Sequence, residues 1–111
     1  MHITKVCFLV ESFSGGVFNL IKDSIKTLQD EYGLEFTFRI IYSIRADTPD
    51  FFEQHFKGVE FIHVQMGSAA FKKSDLSVIL KLRHLFLKQD VIHMHSSRAG
   101  FLGRLALATL R

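Results

Sequence analysis

Hydrophobic and polar positions follow two different periods along the first third of the chain. Residues 3–11 (ITKVCFLVE) are almost continuously apolar and β-rich, which is typical of a strand covered on both faces. In residues 17–32 apolar side chains recur every three or four positions, and Gly33 provides a C-terminal stop, so this segment predicts an amphipathic helix. Residues 34–43 (LEFTFRIIYS) alternate and are rich in β-branched and aromatic side chains, so they predict a second strand.

The middle of the chain predicts a short helix followed by a strand. Thr48 and Pro49 are typical of an N-cap and a first helical position, with Asp50 in the first turn, so we expect a helix through about Phe56. The run VEFIHV (59–64) then has the composition of a third strand.

The last third repeats the order of helix, strand and helix. Ser74 can cap a helix that runs through SVILKLRHLFLKQ (77–89). DVIHMH (90–95) predicts a fourth strand, and RAGFLGRLALATLR (98–111) predicts a fourth helix.

This order of elements determines the expected fold class. Strands that alternate with helices imply right-handed crossovers and a mostly parallel sheet, whose expected strand order is 3-2-1-4. A length of 111 residues corresponds to about one domain. We therefore expect a single α/β domain over residues 1–111, built as a Rossmann-like three-layer sandwich with about four strands.

The last helix and the last strand look incompletely covered. The helix is apolar almost all round, and a helix of that kind expects neighbours on several sides. The fourth strand would lie at a sheet edge with an apolar sequence, which is a pairing hazard unless something covers it. We therefore expect either that the chain continues in a longer relative or that another subunit covers this region.

Composition and charge narrow the class of protein. A hydrophobic content of 48% with twelve Phe excludes intrinsic disorder, and the net charge of +3 lacks the clustered basic stripe of a nucleic-acid binder. The apolar run near the N-terminus is too short for a signal peptide or a membrane span, so we expect a cytoplasmic protein. Cys7 lies inside that run, where a thiol is an inert buried side chain.

One helix face allows an alternative at a membrane. Lys81, His84 and Lys88 fall on one stripe of the helix after the third strand. A solvated face is the simpler interpretation, and peripheral contact with anionic headgroups at the inner membrane face is the alternative.

Candidate chemistry lies in the loops after the first and fourth strands. In an open parallel sheet, ligands bind outside the carboxyl ends of the strands at the point where strand order reverses. Gly15 and Gly16 precede a helix there, where a ligand can approach the backbone and free N–H groups favour an anion. Ser96, Ser97 and Arg98 open another helix and add hydroxyls and a positive charge. The pattern favours a diphosphate or phosphosugar site, and the alternative is that the glycines only form a tight turn.

Two histidines lie on one face of the fourth strand. His93 and His95 are two positions apart, so their side chains share a face. We expect His93 to be satisfied within the sheet, and His95, at the carboxyl end, to contact a hydroxyl or a phosphate. His63 and Asp90 have no recognisable metal-ligand spacing with them, so the sequence predicts no metal site.

Several enzyme classes lack support in the sequence. The glycine pair has no third glycine of the dinucleotide fingerprint, and there is no P-loop motif, so neither a standard NAD site nor a P-loop NTPase is expected. Nothing suggests a nucleophile–base–orienter triad or the close pair of carboxylates used by glycoside hydrolases. No cofactor is expected.

These motifs together resemble the amino-terminal, acceptor-side part of GT-B glycosyltransferases of family 4, which are retaining enzymes that use nucleotide sugars. VESFSGGVFNLIKD resembles the first strand, glycine-pair loop and first helix of that family, and DVIHMHSSRAGFLGRLA resembles its fourth strand and following helix. YSIRADTPDFF and GVEFIHV resemble the intervening segment in bacterial members that make cell-surface polysaccharides. The resemblance runs over essentially the whole chain.

The resemblance implies a role for each candidate residue. Gly15 and Gly16 would approach the donor diphosphate, and His95 would be the catalytic-site residue near the transferred sugar. The acceptor, a sugar or a lipid-linked sugar, would be bound by four residues: Ser12, Ser96, Ser97 and Arg98. Chemistry without a metal is implied as well.

The sequence also departs from the family. The donor-binding domain with its acidic motif and the later strands of the amino-terminal domain are absent, so this chain alone is not expected to transfer sugar. Two alternatives therefore stay open beside the glycosyltransferase fragment. One is a non-catalytic module that forms a homodimer through the last strand and helix, and the other is a small phosphate- or nucleotide-binding regulator.

Overall fold

The computed structural model describes residues 3–66, 73–95 and 97–108, which form a four-stranded parallel sheet with helices on both faces. The strands are β1 (Thr4–Val10), β2 (Phe36–Tyr42), β3 (Val59–His63) and β4 (Val91–His95). The helices are α1 (Gly15–Tyr32), α2 (Ser74–Phe86) and α3 (Ser97–Ala108). Strand order is β3-β2-β1-β4 and all three pairings are parallel, so the predicted Rossmann-like three-layer α/β fold is confirmed.

Alternate residues of β1 build the two halves of the core. Val6, Phe8 and Val10 point to the face covered by α1, where they pack with the buried α1 side chains Ile21 and Ile25. Full burial of an aliphatic side chain of this size is worth about 1.5–3 kcal/mol. Because this face also collects the Phe side chains of β2 and of the β2–β3 connection, it holds most of the aromatic contacts.

The opposite face of β1 is covered by the other two helices. Cys7 and Leu9 point there and are fully buried, together with Leu82 of α2 and Leu102 of α3. Burial raises the pKa of the Cys7 thiol to about 12, so it stays protonated at neutral pH. This agrees with the inert role expected for it from the sequence.

The short helix predicted after β2 is wrong in type and position. Thr48 does not cap a helix, because its hydroxyl accepts a hydrogen bond from the Arg45 N–H at 2.9 Å and its own N–H donates to the Arg45 carbonyl. These bonds close a turn over residues 45–48. A single 3-10 turn, Phe52–His55, follows instead, after Phe51 adopts a left-handed conformation with φ 55°.

Helix ends differ slightly from the predicted ends. Helix α1 begins at Gly15, two residues earlier than its apolar period, and ends before Gly33, whose φ of 58° confirms the predicted stop. Helix α2 begins at Ser74 itself, with Lys73 in the N-cap position, so Ser74 is not the cap. The helix ends at Phe86 rather than residue 89, because Leu87 is extended and Lys88 has a φ of 65°.

The sheet is unevenly covered on the α1 face. Helix α1 packs mainly over β1 and β2, so Val91 and His93 of β4 are exposed beside the half-exposed Leu20 of α1. Leu105 of α3 is also exposed. Strand β4 thus lies at an edge of the described sheet, as predicted, with Val91 and Leu105 exposed beside it.

Candidate functional site

The loop after β1 and the end of β4 lie next to each other where the strands of the sheet end in their carboxyl-terminal residues. Val10, the last residue of β1, is the register partner of His95, the last residue of β4. Glu11 to Ser14 lead from Val10 directly into Gly15 and α1. The fold thus places the predicted glycine pair and the predicted histidine at the carboxyl ends of adjacent strands, where open parallel sheets bind ligands.

The backbone conformation accounts for glycine at position 15 but not at position 16. Gly15 has a φ of 54°, a left-handed conformation that other residues adopt only with strain, so the turn itself explains this glycine. Gly16 has an ordinary backbone, and a Cβ added to it would meet nothing within 4 Å. The turn therefore requires only one glycine, and the second leaves open, solvent-exposed space at the start of α1.

The start of α1 lacks a side-chain cap. Ser14 occupies the N-cap position, but its hydroxyl donates to Asp47 Oδ2 at 2.9 Å instead of bonding the helix backbone. The Ser12 hydroxyl lies 3.5 Å from that of Ser14. The first N–H groups of an α-helix have no intrahelical partner, so those of α1 remain available to an anion or to water.

His95 has a buried nitrogen that lacks a partner among the described residues. Its Nε2 is inaccessible to solvent and makes no hydrogen bond there, while the ring stacks on Phe8 with centroids 6.0 Å apart. Burial lowers the pKa of His95, and the neighbouring His93 lowers it further, so the imidazole is neutral at pH 7. A neutral imidazole can donate or accept at Nε2 according to its tautomer. Unsatisfied buried polar atoms are uncommon in native proteins and often belong to functional sites.

His93 is not satisfied within the sheet as the sequence suggested. Its side chain is exposed and stacks on Phe8 at 5.5 Å and beside His95 at 6.3 Å. The reason is the uneven cover of the sheet, since α1 does not extend over this part of β4.

A groove of about 330 Å³ runs between α1 and β4, and both histidines line it. Its floor is apolar, formed by Phe8 and Val91, and its far wall includes Leu20 and Ser24 of α1. The α1 residues that line this groove begin at Leu20, so the groove includes His95 but not the glycine pair of the first turn. It combines a neutral imidazole with an apolar floor, and the first N–H groups of α1 lie outside its lining.

The second predicted loop is only partly described. Ser97 and Arg98 form the first turn of α3, at the same edge of the sheet, and their side chains lie outside the described part of the structure. Ser96 lies outside the described residues altogether. Their predicted contacts with an acceptor stay predictions.

Charged residues from the β2–β3 connection also reach this edge, and sequence analysis did not single them out. Arg45 pairs with Glu11 at 3.0 Å, and the same Nη2 donates to the Met66 carbonyl at 2.6 Å. Asp47 holds Ser14 as described. Their position after the carboxyl end of the second strand could have marked Arg45 and Asp47 as site candidates. The pairing of Arg45 with Glu11, 34 residues away, could not be predicted from a single sequence.

Neither a metal-ligand cluster nor a membrane-spanning helix is present in the described ranges. Within 3–66, 73–95 and 97–108, no three His, Cys, Asp or Glu side chains lie close enough together to hold a metal ion. Among the described residues, no helix combines the length and the apolar character needed to cross a bilayer.

Comparison with known proteins gives no assignment. The chain matches no protein-family model, no curated protein and no solved structure.

Proposed function

We propose that this chain is the acceptor-side domain of a nucleotide-sugar-dependent, retaining glycosyltransferase of GT-B type, acting in the synthesis of a cell-surface polysaccharide or glycolipid. The observation that carries the proposal is His95, whose buried Nε2 has no partner among the described residues and which ends β4 opposite Val10, the last strand residue before the loop into the uncapped α1. A sugar diphosphate supplies what both features lack, since it brings a hydroxyl for the imidazole and an anion for the helix.

The neighbouring charges fit a sugar phosphate better than a bare anion. Asp47, which accepts a hydrogen bond from the Ser14 hydroxyl, is an acceptor suited to sugar hydroxyls. Arg45 is already paired with Glu11, so it neutralises that carboxylate and is not a free anion ligand. Gly16 would lie against the diphosphate, because the space at its Cβ position is open.

Transfer itself would need a donor-binding half from a further domain or a separate chain, as in the family that the sequence resembles. Ser12, Ser96, Ser97 and Arg98 keep their proposed place on the acceptor side. The polysaccharide role and the cytoplasmic location belong to the same proposal. Lys81, His84 and Lys88 are exposed on α2 or just beyond it, and a peripheral membrane contact there is the alternative to a solvated face.

The binding half of the proposal can be tested on this chain. We expect UDP-glucose, added to ¹⁵N-labelled protein, to shift the amide signals of Gly15 to Phe18 and the ring signals of His95. Gly16→Val fills the open space and should abolish these shifts, whereas Asn19→Val, an exposed change on the same helix, should leave them unchanged. Absence of shifts at millimolar sugar nucleotide, with both variants folded, would contradict the proposal. Equal binding of pyrophosphate alone would favour a phosphate-binding regulator instead.

A second candidate function, a dimerising module, is favoured by one specific observation. The outer edge of β4 is unpaired in the described sheet, and Val91 and Leu105 are exposed beside it. If two copies associate there, Leu105→Asp should convert a dimer to a monomer in sedimentation or solution scattering. A monomeric wild-type chain at high concentration would remove this candidate.

A further inference from the structure

An exposed aromatic side chain lies in a strained backbone conformation after β2. Phe51 has a φ of 55°, in the left-handed region that is unfavourable for a bulky residue. Its neighbour Phe52 is buried in the core, whereas the Phe51 side chain is 73% exposed. Backbone strain of this kind persists where the surrounding structure enforces it, and it is concentrated at active sites and ligand clamps. Phe51 is therefore a candidate for contact with a ligand.

Phe51 lines a pocket of about 250 Å³ that is formed by residues after the carboxyl end of β2. Ile44, which is 53% exposed, provides a second apolar wall, and Thr48 and Asp50 provide polar groups. Pockets for drug-sized ligands begin at about 300 Å³, so this smaller one suits a single ring. Its mixture of apolar and polar walls is typical of a small-molecule site.

Hydrogen bonds hold the wall of this pocket in place. The Ile44 N–H donates to Gln65 Oε1 at 3.0 Å, and the Ile44 carbonyl accepts from Gln65 Nε2 at 3.1 Å. The Arg45 N–H donates to the Thr48 hydroxyl, and the Arg45 guanidinium pairs with Glu11. The Ile44 side chain is thus held in water by an ordered backbone. A wall that is already ordered loses little conformational entropy when a ligand binds.

One turn separates the pocket from the proposed sugar-diphosphate site. Residues 45–48 form this turn, and Arg45 and Thr48 line the pocket. Asp47 of the same turn accepts the hydrogen bond of Ser14 at the start of α1. Ligands bound at the two places would therefore lie side by side at the carboxyl ends of the strands.

Charge and hydrogen bonding indicate the class of ligand. Among the described residues that line the pocket, the one basic side chain, Arg45, is already paired with Glu11, so a phosphate finds no free cation. The exposed Asp50 carboxylate accepts hydrogen bonds, and the Thr48 hydroxyl, which accepts from Arg45, keeps its proton to donate. A sugar ring combines hydroxyls that donate and accept with an apolar C–H face that packs on the negative face of an aromatic ring.

We propose that this pocket binds a sugar ring of the acceptor, stacked on Phe51 and hydrogen-bonded to Asp50 and Thr48. The inference rests on the proposed glycosyltransferase function, which gives the reason for holding a neutral sugar beside a diphosphate site. Phe51 and Ile44 would contact the apolar face of the ring, and the two polar side chains would fix its orientation.

Saturation-transfer NMR with methyl glycosides of glucose, galactose, mannose and N-acetylglucosamine tests the pocket on this chain. At least one glycoside should bind at millimolar concentration, receive saturation at its ring C–H protons and shift the Phe51 ring signals. Phe51→Gly should weaken that binding about tenfold, within the range that an aromatic contact contributes. Leu34→Ala, which truncates an 88% exposed side chain outside the pocket, is the control and should change the affinity less than about twofold.

The stability of the variant separates a binding role from a structural one. Glycine adopts a φ of 55° without strain, so Phe51→Gly should not lower Tm although it removes the sugar contact. Phe51→Asn is a second variant, because asparagine also tolerates this conformation. Unchanged affinity in both variants, or no binding of any of the four glycosides, would overturn the proposal.

Two further measurements identify which inference fails. Asp50→Asn keeps a hydrogen-bond acceptor but loses the charge, so it should weaken sugar binding only about threefold. Tetramethylammonium that displaces the glycoside and no longer binds in Asp50→Asn would assign the pocket to a cation over the Phe51 ring instead. The shifts that UDP-glucose causes at Gly15 to Phe18 should persist in Phe51→Gly. If they occur without glycoside binding, this pocket alone is refuted, and glycoside binding without them would support the pocket and refute the diphosphate site.

Discussion

Gly103 sets how closely α3 approaches the sheet, and replacing it by alanine should destabilise the fold. A Cβ at this position would lie 2.7 Å from Met94 Sδ and 2.9 Å from Leu9 Cδ2, closer than ordinary contact. The Met94 side chain is flexible and can move aside, whereas Leu9 is fully buried and has little room to move. The contact matters for the site because α3 begins at its edge, with Ser97 and Arg98 in the first turn.

Two opposing effects determine the magnitude. Alanine is favoured over glycine inside a helix by about 1 kcal/mol. Overpacking a close contact costs about 1–3 kcal/mol, so Gly103→Ala should lose up to about 2 kcal/mol of unfolding free energy overall. Gly100→Ala on the same helix meets only the flexible Arg104 side chain, at 3.4 Å, and should gain about 1 kcal/mol.

Thermal and urea unfolding, followed by circular dichroism, measure this difference. The two alanine variants should separate by about 1–3 kcal/mol, with the wild type between them. For a domain of this size each kcal/mol corresponds to about 4 °C in Tm. If Gly103→Ala gained as much stability as Gly100→Ala, the close approach of α3 to β1 and β4 would be refuted.

Three further outcomes follow from buried groups. Ser43→Ala removes the hydroxyl that bonds the buried Val64 carbonyl and the buried Met66 N–H, so it should lower the unfolding free energy measured in urea by about 2 kcal/mol. The exposed change Ser77→Ala should lower it by almost nothing, and equal losses would contradict the role of the Ser43 hydroxyl. The pKa of His95 is lower in the folded state than the ordinary histidine pKa of 6.5, so the unfolding free energy should fall as the pH drops below 6.5. His95→Phe should flatten that part of the curve of stability against pH, and an unchanged curve would contradict the burial of His95. Cys7 should react with a thiol reagent at pH 8 only at the rate of unfolding, and rapid labelling of folded protein would show that it is accessible.

The sheet could be predicted from the sequence because its strands carry strong local signals. The continuous apolar run of β1 and the alternation of β2 mark a central strand and its neighbour. Right-handed crossovers in a doubly wound sheet then favour the order β3-β2-β1-β4. The glycine pair and His95 could be placed by the same logic, since strand order determines which carboxyl ends are adjacent.

Three features that could not be predicted from the sequence depend on contacts in the folded protein: the turn at Thr48, the exposure of His93 and the surroundings of His95. Thr48 and Pro49 have good helix-start chemistry, but the Arg45 backbone competes for the Thr48 hydroxyl and a turn forms instead. The exposure of His93 depends on where α1 lies across the sheet, which no local pattern encodes. The burial of His95 Nε2 without a partner in the described ranges likewise depends on residues that are distant in sequence, such as Phe8.

The most direct test of the glycosyltransferase proposal is sugar transfer by the gene product at its natural length in the cell. Membranes or extracts containing it should move labelled sugar from a nucleotide sugar to an acceptor lipid or glycan. His95→Ala should lower this rate about 100-fold, as loss of a polar group at a reacting centre does, while amounts of folded protein stay the same. Transfer that is undiminished by His95→Ala, or no transfer from any common nucleotide sugar, would contradict the account.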